Sequence, residues 1–233
     1  MAFLLGWIVA PAVAADATVE FRRAVTGMAE RVGALSDCTF VFHQSERHGN
    51  KLEAPVRIEV KYRPMHDVYM RWVDGGRQVL FRPGWNDDRL MVDPGPWIPT
   101  LSLAPDSRLA MNGQRQGVLM MGFPNVVRLF TADVRRAEQH PEYPVSTVDE
   151  GPTNELGEAA HCWAVTLPKK LDPAFYAAKV RVCLADRNAL PVRIQAWEEI
   201  EGVLTMVEDY GYTDVKINVG LTDRDFEPAT YGF

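Results

Sequence analysis

The five histidines are the residues of this sequence best suited to acid–base or metal chemistry. None belongs to an HExxH or His-x-His motif, the spacings that would present two imidazole nitrogens to one metal ion. Two of them fall in predicted strands that could meet in the fold, so a hydrolase built on His43, His161 and an unassigned carboxylate is one hypothesis. No GxSxG motif supplies a nucleophile, and we therefore expect neither a catalytic site nor a metal site. The full set is His43, His48, His66, His140 and His161.

Paired carboxylates are the second group of residues with possible chemistry. Asp223-x-Asp225 lacks the other ligands and the glycine spacing of an EF-hand calcium loop. The remaining pairs are Asp87-Asp88 and Glu198-Glu199. We interpret all three pairs as solvated turns.

The three cysteines, Cys38, Cys162 and Cys183, fit neither a zinc-ligand spacing nor a CxxC redox pair. In an oxidising compartment two of them could form a disulfide. Cys162 and Cys183 lie on flanking predicted strands and are the preferred pair. Three separate buried thiols are an equally acceptable interpretation.

Length and charge limit the classes of function. A chain of 233 residues with 47% hydrophobic residues is long enough for one large domain with a proper core. The net charge of −6 argues against a polyanionic partner, because phosphate neutralisation needs a basic surface. We therefore expect no nucleic-acid binding, and no motif indicates a cofactor.

The amino terminus resembles a secretory signal peptide. Residues 1–15, MAFLLGWIVAPAVAA, are uncharged, apolar in the middle and end in small residues of the A-x-A type. The usual basic n-region is missing, which indicates that translation starts upstream of Met1. A buried helix or a retained membrane anchor is the alternative. We expect export to the periplasm, with residues 16–233 forming a single domain.

Hydrophobic periodicity predicts the elements that follow. Residues 17–35 have apolar side chains at helical spacing, with Asp16 or Thr18 as the N-cap. Residues 118–139 are predicted to be helical in two pieces because Pro124 should break the helix. Residues 94–117 are predicted to be a loop anchored by Trp97, and residues 149–158 an acidic hairpin loop. Leu101 and Leu103 are further anchors of the 94–117 loop. Alternation of apolar and polar residues predicts strands over residues 38–47, 55–62, 68–73, 78–82, 89–93, 143–148, 161–167, 179–184, 191–197 and 203–212.

Two segments resemble a known family. They are similar to the motifs of the bacterial family DUF1571. The carboxy-terminal segment is DRNALPVRIQAWE followed by VEDYGYTDVKINVGLTDRDF, and the central segment is KYRPMHDVYMRW followed by GRQVLF. That family is placed near the LolA-like periplasmic lipoprotein carriers. The resemblance implies an α+β fold, with a strongly curved antiparallel sheet (a half-barrel) whose concave face is covered by helices. The family has no established activity, so no catalytic residues are transferred.

Aromatic residues on the predicted strands are the candidate ligand-binding residues. If the sheet curls, one set lines a concave apolar cavity; a plain core under the helices is the competing interpretation. The resemblance implies a non-enzymatic periplasmic protein that binds a lipid or lipoprotein acyl chain and can contact the membrane peripherally. An envelope structural module with a filled core is the alternative. The candidates are Phe40, Phe42, Tyr62, Tyr69, Trp72, Phe81, Trp163 and Trp197.

Overall fold

A computed structural model describes the backbone of residues 11–233 and the side chains of residues 17–233. Residues 1–10, and with them most of the predicted signal peptide of residues 1–15, lie outside this part. The described residues form two α-helices, α1 (Pro11–Gly33) and α2 (Phe123–Gln139). They also form twelve strands: β1 (Cys38–His48), β2 (Lys51–Leu52), β3 (Val56–Arg63), β4 (Asp67–Trp72), β5 (Gln78–Phe81), β6 (Leu90–Asp93), β7 (Leu101–Leu103), β8 (Ser146–Glu155), β9 (Glu158–Thr166), β10 (Lys179–Ala185), β11 (Pro191–Ile200) and β12 (Val203–Ile217).

The strands form one antiparallel sheet in the order β7-β6-β5-β4-β3-β1-β12-β11-β10-β9-β8, with β2 paired to β1. Most neighbours in the sheet are also neighbours in the chain, as expected for successive hairpins. The pairing of β1 with β12 joins the two halves, with Cys38 opposite Ile217 and Glu46 opposite Glu208. The predicted α+β class with an antiparallel sheet and two helices is confirmed.

Alternation of side chains gives the sheet two distinct faces. In β3, Ile58, Val60 and Tyr62 are buried, whereas Glu59 and Lys61 between them are only partly buried. Since successive side chains of a strand point to opposite sides, the buried set lies on one face. We call the face that the helices cover the inner face and the opposite one the outer face.

Helix α1 packs on the inner face through one stripe. Phe21, Val25, Met28 and Val32 are all less than 9% exposed and belong to the main core. Their spacing of three and four residues is the apolar stripe that the sequence predicts. The helix begins at Pro11, however, so the prediction that Asp16 caps its first turn is wrong.

Helix α2 begins where the sequence predicts a break. Residues 118–120 form a separate 3-10 turn, and Pro124 occupies the first turn of α2, where its missing N–H is not needed. Gly122, just before the helix, has a φ of 97°, and a Cβ atom there would lie 2.5 Å from the Tyr62 ring. Only glycine fits this junction, and its absence of a side chain lets α2 lie close to the sheet.

The extent of the main hydrophobic core indicates that the sheet curls. Eleven strands side by side would span about 50 Å if flat, whereas two packed helices are about 20 Å wide. Yet one hydrophobic cluster contains side chains from α1, α2 and every strand from β6 to β9 in the order of the sheet. A curled sheet brings its distant strands against the same two helices.

Antiparallel pairing assigns each connection to one of two ends of the sheet. Cys38 pairs with both Tyr62 and Ile217, which places these residues at the same end, and Glu46 pairs with Glu208 toward the other. We call the end nearer Glu46 the upper end. It contains the connections 73–77, 94–100, 167–178 and 201–202, and the lower end contains 64–66, 82–89, 156–157 and 186–190.

Three local predictions need correction. Trp97 does not anchor its loop, because its side chain is 99% exposed. The loop also contains a short strand, β7. Residues 149–158 are not a hairpin loop; β8 and β9 extend through them to a tight turn at Leu156 and Gly157. The acidic residues of this segment led to the prediction of a loop, but the outer side chains of an edge strand can be fully solvated and therefore acidic.

Edge strand β8 is irregular. Its pairing with β9 shifts register between Asp149 and Gly151, and Pro152 follows the shift. Such a bulge bends and twists an edge strand. The adjacent strands β9 and β10 are joined by a disulfide between Cys162 and Cys183, and Cys38 is a free, buried cysteine. Neither described helix combines the length and apolar character that crossing a membrane requires.

Candidate functional site

A cavity of about 380 Å³ lies between the two helices and strands β8 to β10. Its volume falls in the range of small-molecule sites. Its walls come from the first half of α1, the second half of α2 and the upper ends of the three strands. The lining side chains are Thr18, Phe21, Arg22, Phe130, Asp133, Val134, Ala137, Glu138, Pro141, Tyr143, Val145, Thr147, Val165, Leu167 and Val180.

Amphipathic patterns place the apolar lining. Phe130, Val134 and Ala137 follow one another at steps of four and three along α2, so they share one helix face. From the sheet, Val165 and Leu167 alternate along β9 and the residue after it, and both point to the inner face. The helices and strands thus line a largely apolar space without filling it.

Asp133 is the buried acidic group of this cavity. It is 7% exposed, and its carboxylate accepts hydrogen bonds from the backbone N–H of Tyr176 at 3.2 and 3.3 Å. Burial raises the pKa of Asp133 to about 6, against the opposing effects of the Tyr176 N–H and of Arg136. The group therefore changes charge under mildly acidic conditions.

Two other polar features define the cavity. Thr147 is 4% exposed, and its hydroxyl has no hydrogen-bond partner among the described residues. A buried hydroxyl without a partner is uncommon and is suited to a polar atom of a bound molecule. At the mouth, Arg22 and Glu138 form an ion pair at 3.5 Å with both side chains substantially exposed. The cavity therefore has mostly apolar walls with two buried polar groups, Asp133 and Thr147, and a charged pair at its entrance.

Phe130 separates this cavity from a second, smaller one. The second cavity measures about 60 Å³ and lies between α2, residues 114–122 and the central strands. Phe42 and Ile194 belong to its sheet wall, and Phe130 lines both cavities. The Phe130 ring packs edge-on against Phe21 of α1.

A buried polar cluster lies beside the smaller cavity. Glu46 and Glu208 are 3% and 2% exposed. Arg115 donates to Glu208 through Nε at 3.0 Å and to Glu46 through its backbone N–H at 2.6 Å. Tyr176 donates its hydroxyl to Glu208, and Tyr210 donates to Glu46. Burial, followed by the Glu208 carboxylate, raises the pKa of both tyrosines, so their hydroxyl groups remain protonated donors.

The cluster fixes the segment that crosses the inner face. Residues 104–117 connect β7 to the turn before α2, and Arg115 and Gln116 tie this segment to Glu208. Every oxygen of the two carboxylates has a donor. This satisfied network has a structural role, because it leaves no free group directed at a ligand.

None of the eight aromatic residues named from the sequence lines the larger cavity. Phe40 and Phe42 pack on the rings of Phe123, Tyr210 and Tyr212. Phe81 and Tyr62 enclose His66, Trp163 packs on Phe21, and Trp72 lies under the Arg77 guanidinium at 3.5 Å. The protein's own side chains therefore fill the centre of the inner face.

Tyr69 and Trp197 lie on the outer face, so their placement in a concave cavity is wrong. Tyr69 stacks on Tyr231 of the carboxy-terminal segment, with 3.6 Å between the ring centroids. Trp197 is half-buried beneath the Lys179 ammonium, 5.1 Å from the ring centroid. Both residues follow the alternation of their strands, but the face each would take could not be assigned from aromatic character alone.

The two histidines of the hydrolase hypothesis are separated. His43 lies on the outer face, where its Nε2 is 2.8 Å from the Thr213 hydroxyl. His161 stacks on Trp163, and its Nε2 is 2.5 Å from Asp149. Different faces and different partners leave no shared site for a nucleophile and a base.

One group of potential metal ligands occurs in the described residues. Glu155, Cys162 and Cys183 approach closely enough to hold an ion. The disulfide occupies both sulfur atoms, which cannot then act as thiolate ligands.

Asp133 and Thr147 are the site residues that sequence reasoning missed. Asp133 lies three residues after Phe130, on the apolar stripe of a helix that the sequence did predict. An acidic residue on a buried stripe is an available signal. No signal in the sequence points to Thr147, because threonine is common in strands.

Comparison with known proteins gives the family. In solved structures, the chain resembles a LolA-superfamily protein from Nitrosomonas europaea (13% identity, 88% of this chain and 96% of that one, TM-score 0.38). It also resembles LprF from Mycobacterium bovis (9%, 91% and 97%, TM-score 0.47) and lipoprotein LppX from Mycobacterium tuberculosis (14%, 89% and 98%, TM-score 0.41). No curated protein matches the chain. Residues 35–233 match DUF1571, described as a protein of unknown function, and the chain belongs to that family.

Proposed function

We propose that this protein binds the acyl chain of a lipid or lipoprotein in the 380 Å³ cavity between α1, α2 and strands β8 to β10. The observation that supports this is the largely apolar cavity itself. A well-packed core has few voids larger than a water molecule. Apolar burial is worth roughly 25 cal/mol per Å², so an acyl chain would gain substantially by leaving water.

The polar groups suit an amphiphile. The chain would lie against Val165, Leu167 and Val180, while the Arg22–Glu138 pair at the mouth would meet the headgroup. No bond is made or broken in this function, which is therefore non-enzymatic. The apolar residues 1–15 and the disulfide support export to the periplasm, an oxidising compartment.

Filling the cavity tests the proposal. Val180 is 1% exposed and lines the cavity, so Val180→Phe should occupy the space that the chain would use. We expect binding of a fluorescent fatty acid to weaken at least tenfold. The matched control is Val148→Phe on β8, where the side chain is 58% exposed and the substitution should leave binding unchanged.

Native mass spectrometry of the protein from the periplasm gives a second readout. Wild type should retain a mass corresponding to a lipid, and Val180→Phe should not. A folded Val180→Phe protein that binds the fatty acid as tightly as wild type would contradict the proposal. The filled centre of the inner face favours one competitor, an envelope structural module, which would copurify with nothing.

A further inference from the structure

Six apolar side chains are exposed at the upper end of the sheet. They come from three separate connections: the β6–β7 loop, the segment after β9 and the β11–β12 hairpin. A single exposed apolar side chain needs no explanation, but a concentration of them at one end of a molecule points to a contact surface. The six are Trp97 (99% exposed), Ile98 (53%), Leu171 (64%), Ile200 (40%), Val203 (64%) and Leu204 (49%).

The β6–β7 loop holds its tryptophan away from the body. The sequence Pro94-Gly95-Pro96-Trp97-Ile98-Pro99 contains three prolines, each with a fixed φ, and Trp97 itself has a φ of 76°. A left-handed backbone is unusual for a bulky residue and costs free energy. The loop is thus stiff in the conformation that exposes Trp97 completely.

The β11–β12 hairpin presents the second apolar tip. Ile200 and Val203 flank the turn at Glu201 and Gly202. Directly behind the tip, Lys169 pairs with Glu198 at 2.5 Å, and Lys170 pairs with Glu199. These pairs connect the hairpin to the segment that contains Leu171, so charge is neutralised next to the apolar residues.

The cavity lies at the same end. Thr147 lies near the beginning of β8, Leu167 follows the end of β9, and Val180 lies at the beginning of β10. Ser146, Thr166 and Lys179 are paired across these strands at the upper end. The apolar tips and the cavity therefore share one end of the molecule.

We propose that the upper end contacts a lipid bilayer through these six side chains, with the cavity facing the membrane. This inference rests on the proposed acyl-chain binding and names the surface across which the ligand would be exchanged. The two hairpin tips are separated by β5, β4, β3 and β1, so they form a rim rather than a groove. A rim of separate apolar points fits an extended, deformable interface, and tryptophan favours the boundary of a bilayer.

The charge of the protein determines the kind of lipid surface. With a net charge of −6, the chain is not attracted to anionic lipids by its overall field. Contact depends on the apolar tips, so binding to phosphatidylcholine vesicles should persist when salt is raised. Anionic lipid should weaken binding.

The test compares two exposed sites of the full chain. Trp97→Ser combined with Leu204→Ser removes one side chain from each hairpin tip and should lower partitioning into phosphatidylcholine vesicles at least tenfold in a sedimentation assay. The matched control is Met65→Ser, because Met65 is 88% exposed but lies at the lower end. It should partition as wild type does.

Fatty-acid binding separates this inference from the proposed function. The double variant should bind the soluble fluorescent fatty acid as wild type does, because neither residue lines the cavity. If wild type binds the fatty acid but not the vesicles, the proposed membrane contact is overturned and the proposed function is retained. Equal loss in Met65→Ser, or unchanged partitioning of the double variant, would also overturn it. Vesicle binding without fatty-acid binding would overturn the function instead.

Discussion

The buried carboxyl of Asp133 makes stability depend on pH in a direction opposite to that of most acids. Its pKa rises from an ordinary 3.8 to about 6 on folding, chiefly through burial. This difference corresponds to about 3 kcal/mol between the two charge states. Because the pKa of Asp133 is higher in the folded state than in the unfolded state, its stabilising contribution to the free energy of unfolding is fully present below about pH 4. That contribution is lost as the pH rises through 6.

Replacing Asp133 with asparagine removes this titration and keeps an oxygen that can accept from the Tyr176 N–H. The free energy of unfolding of Asp133→Asn, minus that of wild type, should increase by about 2.5 kcal/mol between pH 4 and pH 7. A constant offset from the new amide group would not affect this slope. The measurement is urea denaturation of both proteins at several pH values.

Asp172 provides the control. The backbone N–H of Ala174, followed by Arg136, lowers the pKa of Asp172, so this group stabilises the protein at neutral pH and loses its effect as pH falls. Asp172→Asn should therefore give a difference of the opposite sign. A pH-independent difference for Asp133→Asn, or one that matches Asp172→Asn, would refute the assignment of a destabilising buried charge at neutral pH.

Two further substitutions test the parts around the cavity. Arg115→Met leaves the carboxylate of Glu208 buried without its cation and should lower the free energy of unfolding by about 3 kcal/mol. Adding Glu208→Gln should recover part of this loss. Urea denaturation measures both variants, and an unchanged midpoint for Arg115→Met would contradict the structural role of the cluster. Replacing Cys162 and Cys183 with alanine opens a loop with a sequence separation of 21 and should lower the free energy of unfolding by about 3 kcal/mol, measured by thermal unfolding. Fatty-acid binding should stay intact. Weakened binding in a folded variant would show that the disulfide shapes the cavity.

Much of the fold could be predicted from the residues because local patterns determine it. The alternation in β3, the apolar stripe of α1 and the break before Pro124 each follow from backbone geometry. The length of strand β8 was underestimated because its exposed and acidic side chains, such as Asp149 and Glu150, are as common in a loop as in an edge strand.

The site was less predictable because a cavity is a property of packing rather than of composition. Aromatic residues such as Phe40 and Trp163 were reasonable candidates, but large rings also fill a core efficiently, as both do here. The space lies where smaller residues, such as Ala137 and Val180, face one another. Their mutual positions depend on how far α1 and α2 stand from β8 to β10, which no local pattern records.

The irregular edge at β8 has a consequence for self-association. An open sheet offers unpaired N–H and C=O groups at its margins, and a second copy could extend it indefinitely. Here the bulge at Asp149 and Gly151 twists the margin, and Pro152 lacks the N–H that an incoming strand would need. At the opposite margin, β7 has only three residues. Neither margin of the sheet is closed, yet neither presents a long, regular strand to a second copy.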